Sequence, residues 1–176
     1  MVRILLWLGI FYSLALVSDW PEGYQLIEGS SLDRSRLVTT MASAYGELGA
    51  TQLGHLTKTV ELYFESPSML WWLEKSGTSR VGFTARQPSA IGCLWLGQSI
   101  NQLTGALQAY IYLVYVEPAY RRQGLGRGLM NHARRWAQEQ GYAQMSLQVF
   151  CKNKVAIQLY EDLGFMPTAT LLTLDV

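Results

Sequence analysis

A single mixed α/β domain, with helices on both faces of one sheet, is the fold this sequence predicts, on three observations. Segments with helical and strand periodicity follow one another in the order β-α-α-β-β-β-α-β-α-β. The chain has 176 residues, enough for one hydrophobic core and few for two. Hydrophobic residues make up 49% and charged residues 15%, a balance that excludes a disordered chain.

Each element has a local reason. After the turn-like Trp20-Pro21-Glu22-Gly23, Tyr24 to Glu28 reads as a first strand. Ser30-Ser31-Leu32-Asp33 offers a hydroxyl cap and an early acid, and Leu37, Val38, Met41, Ala44, Tyr45 and Leu48 continue at helical spacing. Leu53, Leu56, Val60, Tyr63 and Phe64 mark a second helix, closed by Pro67. The short apolar runs Met69 to Leu73 and Ala90 to Leu96 suit strands, and the polar stretch 74–89 separates them. Ala109 to Val116, aromatic and β-branched, reads as a central strand ending at Glu117-Pro118. From Gly124 a long amphipathic helix carries Leu125, Leu129, Met130, Ala133, Trp136 and Ala137 on one side and ends at Gly141. Ala143 to Phe150 alternates like a strand with two unlike faces. Asn153 caps a last helix through Leu163, finished by Gly164, and Thr168 to Leu174 reads as a closing strand.

Residues 1–22 form an apolar extension ahead of this domain, which spans 23–176. Ile4 to Val17 is greasy but shorter than the about 20 residues a spanning helix needs. Arg3 and the apolar run resemble a secretory signal, although Ala15-Leu16-Val17 makes a poor cleavage site. Docking to a membrane surface or a protein through residues 4–17, and a translation start placed too early, both stay open. The net charge of +1 gives no broad basic field for a nucleic acid. Cys93 and Cys151 are too few for a disulfide framework or a zinc site, so no metal is expected and reduced thiols are.

The feature with most chemistry is the turn Arg121-Arg122-Gln123-Gly124-Leu125-Gly126-Arg127 between a strand and a helix. A helix start leaves backbone N–H groups unpaired at the positive end of the dipole, and glycines let a phosphate approach the chain. Flanking arginines can add charge-assisted bonds. It is neither a Walker loop, lacking Gly-Lys-Ser/Thr, nor the dinucleotide fingerprint, since Gly128 falls two residues after Gly126 instead of three. The glycines could also serve only to close a tight turn.

The run Val116-x-Pro118-x-Tyr120-Arg121-x-x-Gly124-x-Gly126 resembles the cofactor motif of the GCN5-related N-acetyltransferase (GNAT) family. A second block matches at Asn153, Ala156, Tyr160, Gly164 and Phe165. The resemblance implies a mixed, mostly antiparallel sheet flanked by about four helices, with 23–176 as the acetyltransferase domain. It implies acetyl-CoA as co-substrate. The backbone of Val114, Tyr115 and Val116 would pair with the pantetheine arm, N–H groups within Arg122 to Arg127 would hold the pyrophosphate, and Asn153 would contact the cofactor. Tyr160 would be the general acid. It shares a helix face with Asn153 and Ala156, and a phenol of pKa about 10 can protonate a thiolate of pKa about 8.5.

The reaction so implied is direct attack of a primary amine on the thioester, the oxyanion met by an N–H near Tyr115 and Val116. The acceptor would be a small-molecule or peptide amine, the location cytoplasmic with membrane association through the N-terminal segment left open, and a homodimer is compatible. Ribosomal-protein N-terminal acetyltransferases of the family carry a glutamate on the strand before the asparagine, where this chain has Gln148, which takes no proton. A base would then act through water, with Glu117 a candidate. The rival reading is a non-catalytic acyl-CoA sensor or interaction module. Among other residues, His55 and His132 read as surface groups, Cys151 as an inert thiol and Trp71, Trp72 and Trp95 as core aromatics rather than pocket walls.

Overall fold

A computed structural model describes residues 20–64, 68–77 and 90–175. The greasy segment 4–17, Pro67 and most of the 74–89 stretch lie outside the described residues. Among the described residues, five strands form one sheet in chain order: β1 (Tyr24–Glu28), β2 (Met69–Lys75), β3 (Gly92–Ile100), β4 (Leu107–Val116) and β5 (Met145–Leu147). The first four pair antiparallel, and β5 joins β4 in parallel. The helices are α1 (Arg34–Glu47), α2 (His55–Tyr63), α3 (Leu125–Glu139) and α4 (Lys154–Asp162).

Both faces of the sheet are covered. Trp71, Leu73, Leu94, Leu96, Ile111 and Val116 meet Leu125, Leu129, Met130 and Ala133 of α3. On the other face Leu70, Trp72, Cys93, Trp95 and Leu113 meet Leu37 and Met41 of α1 and Leu56 and Val60 of α2. A strand buried on both sides has no polar face to show, which is why β2 and β3 read as continuous apolar runs. The three tryptophans are core residues as expected, with Trp95 fully buried.

The approach to α1 follows its cap. Ser30 Oγ accepts from the Leu32 N–H at 3.3 Å, and the Ser30 N–H donates to the Asp33 carboxylate at 2.7 Å. This reciprocal box satisfies two otherwise orphaned donors. It opens a short 3-10 turn, Ser31–Asp33, before the α-helix proper.

Three differences from the sequence reading matter. The β3–β4 hairpin runs on to Ile100 and Leu107, closed by the Asn101 side chain accepting from Leu103 and Thr104 N–H. The strand expected over Ala143 to Phe150 shrinks to Met145–Leu147, because β5 leaves β4 after Ile111. The closing strand expected over Thr168 to Leu174 is not formed: 165–175 carries no regular structure, and Leu171, Leu172 and Leu174 are exposed. Its side-chain pattern is strand-like, but a strand needs a paired edge as well as a pattern.

One ion pair is buried against the α1 face. Arg36 donates to Glu74 at 3.2 Å, its guanidinium lies 4.1 Å from the centre of a Trp72 ring, and Glu74 is 1% exposed. Removing the cation leaves a buried carboxylate uncompensated, which costs about 3 kcal/mol. Arg36→Ala should lower unfolding stability by that order in urea titration, and Arg36→Met with Glu74→Leu should recover most of it.

Candidate functional site: a glycine turn beside an open strand edge

After β4 the chain makes a 3-10 turn at Pro118–Tyr120, and Arg121 folds back so that its Nε donates to the Val116 carbonyl at 2.8 Å. Two left-handed residues follow, Arg122 at φ 65° and Gly124 at φ 81°. Left-handed residues beside right-handed or extended ones turn successive N–H groups to one side and make a concavity for anions. For arginine that conformation costs about 1–2 kcal/mol, a strain characteristic of functional turns.

Gly124 is the N-cap of α3 and has no side-chain cap bond. The helical ladder starts with the Gly128 N–H donating to the Gly124 carbonyl at 2.9 Å. The N–H groups of Leu125, Gly126 and Arg127 therefore precede the ladder and stay available at the positive end of the dipole. The turn is held from outside: Tyr24 of β1 donates its hydroxyl to Gln123 at 2.6 Å. At Gly126 an added Cβ would stand 3.3 Å from Leu159 Cδ2, so the bare glycine lets α4 settle against the start of α3.

That contact brings the second block to the first. Asn153 caps α4, its Oδ1 accepting from the Ala156 N–H at 3.3 Å. Tyr160 lies half-buried on the same helix, its ring 5.8 Å from Phe165 and packed against the α3 side of the core. Burial raises its phenol above 10, so the hydroxyl keeps its proton through the neutral and mildly alkaline range.

Beside the turn the sheet opens. β5 pairs with β4 only across Ala109, Tyr110 and Ile111. From Tyr112 to Val116 the edge of β4 toward β5 has no strand partner among the described residues, while Val114, Tyr115 and Val116 stay paired with Leu94, Cys93 and Gly92 on the other edge. A bulge sits at this point: Leu96 faces Ile111 and the adjacent Trp95 faces Leu113, so Tyr112 is an extra residue. Bulges re-aim side chains and end pairing next to active sites. Here Tyr112 and Leu113 both pack on the α1 and α2 side, with Tyr115 beyond them.

Glu47, at the last residue of α1, escaped the sequence reading. Arg121 bonds both its oxygens, at 2.9 and 2.7 Å, and the Tyr115 hydroxyl donates to it at 3.0 Å. Burial and the bond to Glu47 push the Tyr115 phenol up to about 12. The Arg121 side chain thus braces the turn against the end of α1. A carboxylate at the negative end of a helix is unfavourable unless a cation meets it, and that oddity was the readable signal. Arg127 makes a surface pair with Asp162 at 3.4 Å. Gln148 is exposed beyond the end of β5, and Glu117 lies at the end of β4.

His55 is exposed as expected, but His132 is not a surface group. Trp71 packs edge-on 4.7 Å from it and Trp20 lies at 6.4 Å, while Nε2 is buried without a partner among the described residues. Burial lowers its pKa, with Arg135 adding to the effect and Glu139 opposing it. The unfolded chain then takes up a proton near pH 6.5 that the folded one resists, so stability falls as pH drops below about 6.5. Urea unfolding at about pH 7.5 and about pH 5.5 should show this loss, and His132→Phe should remove most of it. Cys93 is buried, Cys151 exposed.

A profile of the Acetyltransferase (GNAT) family matches residues 43–165, which takes in the turn, the open strand edge and α4. The chain belongs to the GNAT family. A 58-residue stretch is 43% identical to the ribosomal protein bS18 alanine N-acetyltransferase of Escherichia coli; it covers 33% of this chain and 39% of that protein. The match thus spans about two fifths of the length of that curated relative. Among solved structures, a ribosomal-protein-alanine N-acetyltransferase of Brucella melitensis superimposes with a TM-score of 0.63 at 12% identity, over 88% of this chain and 99% of that one. An aminoglycoside antibiotic 6'-N-acetyltransferase of Acinetobacter haemolyticus gives 0.60 at 16%, over 86% and 97%. These likenesses establish the fold of this GNAT protein: a mixed, mostly antiparallel sheet with helices on both faces.

No group of three or more His, Cys, Asp or Glu among the described residues could hold a metal ion, and none of their helices is long and apolar enough to cross a membrane. A groove of about 300 Å³ between α1 and α2, lined by Arg34, Ser35, Val38, Thr57, Val60 and Glu61, shares no residue with the turn.

Proposed function

We propose that this GNAT protein moves the acetyl group of acetyl-CoA to a primary amine, with residues 23–176 as the catalytic domain and 1–22 as an extension. The observation that carries the reading is the conjunction of an uncapped, left-handed helix start with an open β4 edge ending at the same turn. The residues fit the cofactor: a diphosphate needs unpaired N–H donors without Cβ atoms in the way, and an extended amide-bearing arm needs a free strand edge. Acetyl-CoA supplies, when bound, an activated acetyl group that an amine can attack directly.

The chain's own parts then divide the work. N–H groups from Arg122 to Arg127 hold the diphosphate, and Val114, Tyr115 and Val116 take the amide arm along β4. A β4 N–H near Tyr115 and Val116 receives the developing oxyanion. Asn153, already bonded through Oδ1, has its amide N–H₂ for the cofactor. Tyr160 donates its hydroxyl to the departing sulfur. The acceptor amine must shed a proton, and Glu117, the carboxylate just past the end of β4, can take it through water.

The test is free-thiol release from acetyl-CoA with a panel of aromatic amines, polyamines, amino acids, aminoglycosides and N-terminal peptides. Release that requires an amine supports the proposal. Tight acetyl-CoA binding with no release from any amine would replace it with a binding-only sensor, the role that Gln148 would favour.

A further inference from the structure

The side of the open edge facing α1 and α2 is lined by tyrosines. Strand alternation puts Tyr110 and Tyr112 on the same side, where their rings meet edge-on at 5.0 Å, and the bulge adds Leu113 beside them. Tyr63 of α2 lies 5.2 Å from Tyr112, and Tyr45 of α1 stands edge-on 6.1 Å from Phe150, just beyond β5. Phe150 and Tyr63 are 51% and 50% exposed, so these rings border open space instead of closing over a core. Tyr110 is the residue at which β4 and β5 are still paired, one step before they part. The wall therefore continues directly into the gap where β4 and β5 part.

The polar groups on this wall are as telling as the rings. The hydroxyls of Tyr45 and Tyr63 act electrostatically on that of Tyr110, whose phenol is raised first by burial. Ser146, opposite Tyr110 in the register, has a buried hydroxyl without a partner among the described residues. It points to this side, since its neighbours Met145 and Leu147 pack on the α3 side. Two cations border the region, and both are engaged: Lys152 donates to the Leu48 carbonyl, and Arg121 is paired with Glu47. Glu47 neutralises Arg121, while Lys152, met only by a neutral carbonyl, keeps its charge at the rim of the wall.

We infer that the acceptor is a small amine on an aromatic body, an arylalkylamine, packed against the exposed ring of Phe150 and the tyrosine wall with its nitrogen toward the β4–β5 gap. Aromatic faces attract both a stacked ring and an ammonium group. The inference rests on the acyl transfer proposed above for the same site.

The experiment compares 2-phenylethylamine with ethylamine, which lacks the ring, and with a peptide bearing an N-terminal alanine. The expected result is a kcat/KM for 2-phenylethylamine at least about tenfold above each. Phe150→Ala, at a position exposed enough to leave folding intact, should raise its KM roughly tenfold with acetyl-CoA affinity unchanged, and Phe150→Tyr should restore it. Saturation-transfer NMR on the acetyl-CoA-loaded protein reads 2-phenylethylamine binding without turnover. Binding that Phe150→Ala abolishes, with no thiol release, would leave the wall standing and sink the acyl transfer. Turnover confined to the peptide or to ethylamine, or no binding of 2-phenylethylamine, would overturn the inference while leaving the acyl transfer to its own test.

Discussion

Tyr160→Phe should lower amine-dependent thiol release roughly a hundred- to ten-thousand-fold, the range a positioned proton donor supplies, with acetyl-CoA affinity nearly unchanged. The ring stays, so its packing on Phe165 and the α3 side of the core stays with it. Only the hydroxyl is lost. Burial holds that phenol above 10, whereas a leaving thiolate has a pKa of about 8.5, so complete proton transfer is uphill by at least about 2 kcal/mol. The hydroxyl therefore acts mainly as a hydrogen-bond donor to the sulfur as charge builds on it. A pH profile separates the roles: the rate should climb as the acceptor amine deprotonates, and any alkaline fall below about pH 10 should persist in the variant, because Tyr160 is not its source.

The second large effect is expected at Gly124. Its φ of 81° is open to glycine and strained for a β-branched side chain, by at least about 1–2 kcal/mol. Gly124→Val should pull the turn out of shape and disperse the N–H groups that meet the diphosphate. Space is not the obstacle, since the nearest atom to an added Cβ is Pro21 Cγ at 3.8 Å. In the wild type, acetyl-CoA should bind tighter than S-acetylpantetheine by about a hundredfold or more, two charge-assisted bonds of about 1.5–3 kcal/mol each being lost with the diphosphate. In Gly124→Val that gap should close to within about tenfold, with S-acetylpantetheine affinity unchanged. Equal affinities of the two thioesters for the wild type would show that the turn holds no diphosphate.

What the sequence made legible was local. α3 was readable because its apolar stripe, its glycine start and Gly141 all agree, and α4 because Asn153 and Gly164 bracket it. The turn was readable as an anion site because its glycines and the following helix are contiguous. Features that depend on distant partners were not. Ala143 to Phe150 alternates like a strand throughout, yet β4 pairs with only three of its residues. Thr168 to Leu174 has the composition of a strand and no neighbour among the described residues. The polar Gln98, Ser99 and Asn101 concealed the end of the β3–β4 hairpin. Glu47 and Arg121 are 74 positions apart, and the bulge at Tyr112 is a matter of register that side-chain pattern does not carry. His132 was misjudged because Arg134 and Arg135 suggested a surface, while Trp71 and Trp20 close over it from elsewhere in the chain.

Amide hydrogen exchange with and without acetyl-CoA tests the proposed site most directly, because it reads the backbone donors themselves. Acetyl-CoA should slow exchange over 122–127 and along the free edge of β4 at 112–116, and the groove between α1 and α2 should stay unchanged. Slowing confined to that groove, or none at either place at saturating acetyl-CoA, would contradict a diphosphate site on the glycine turn.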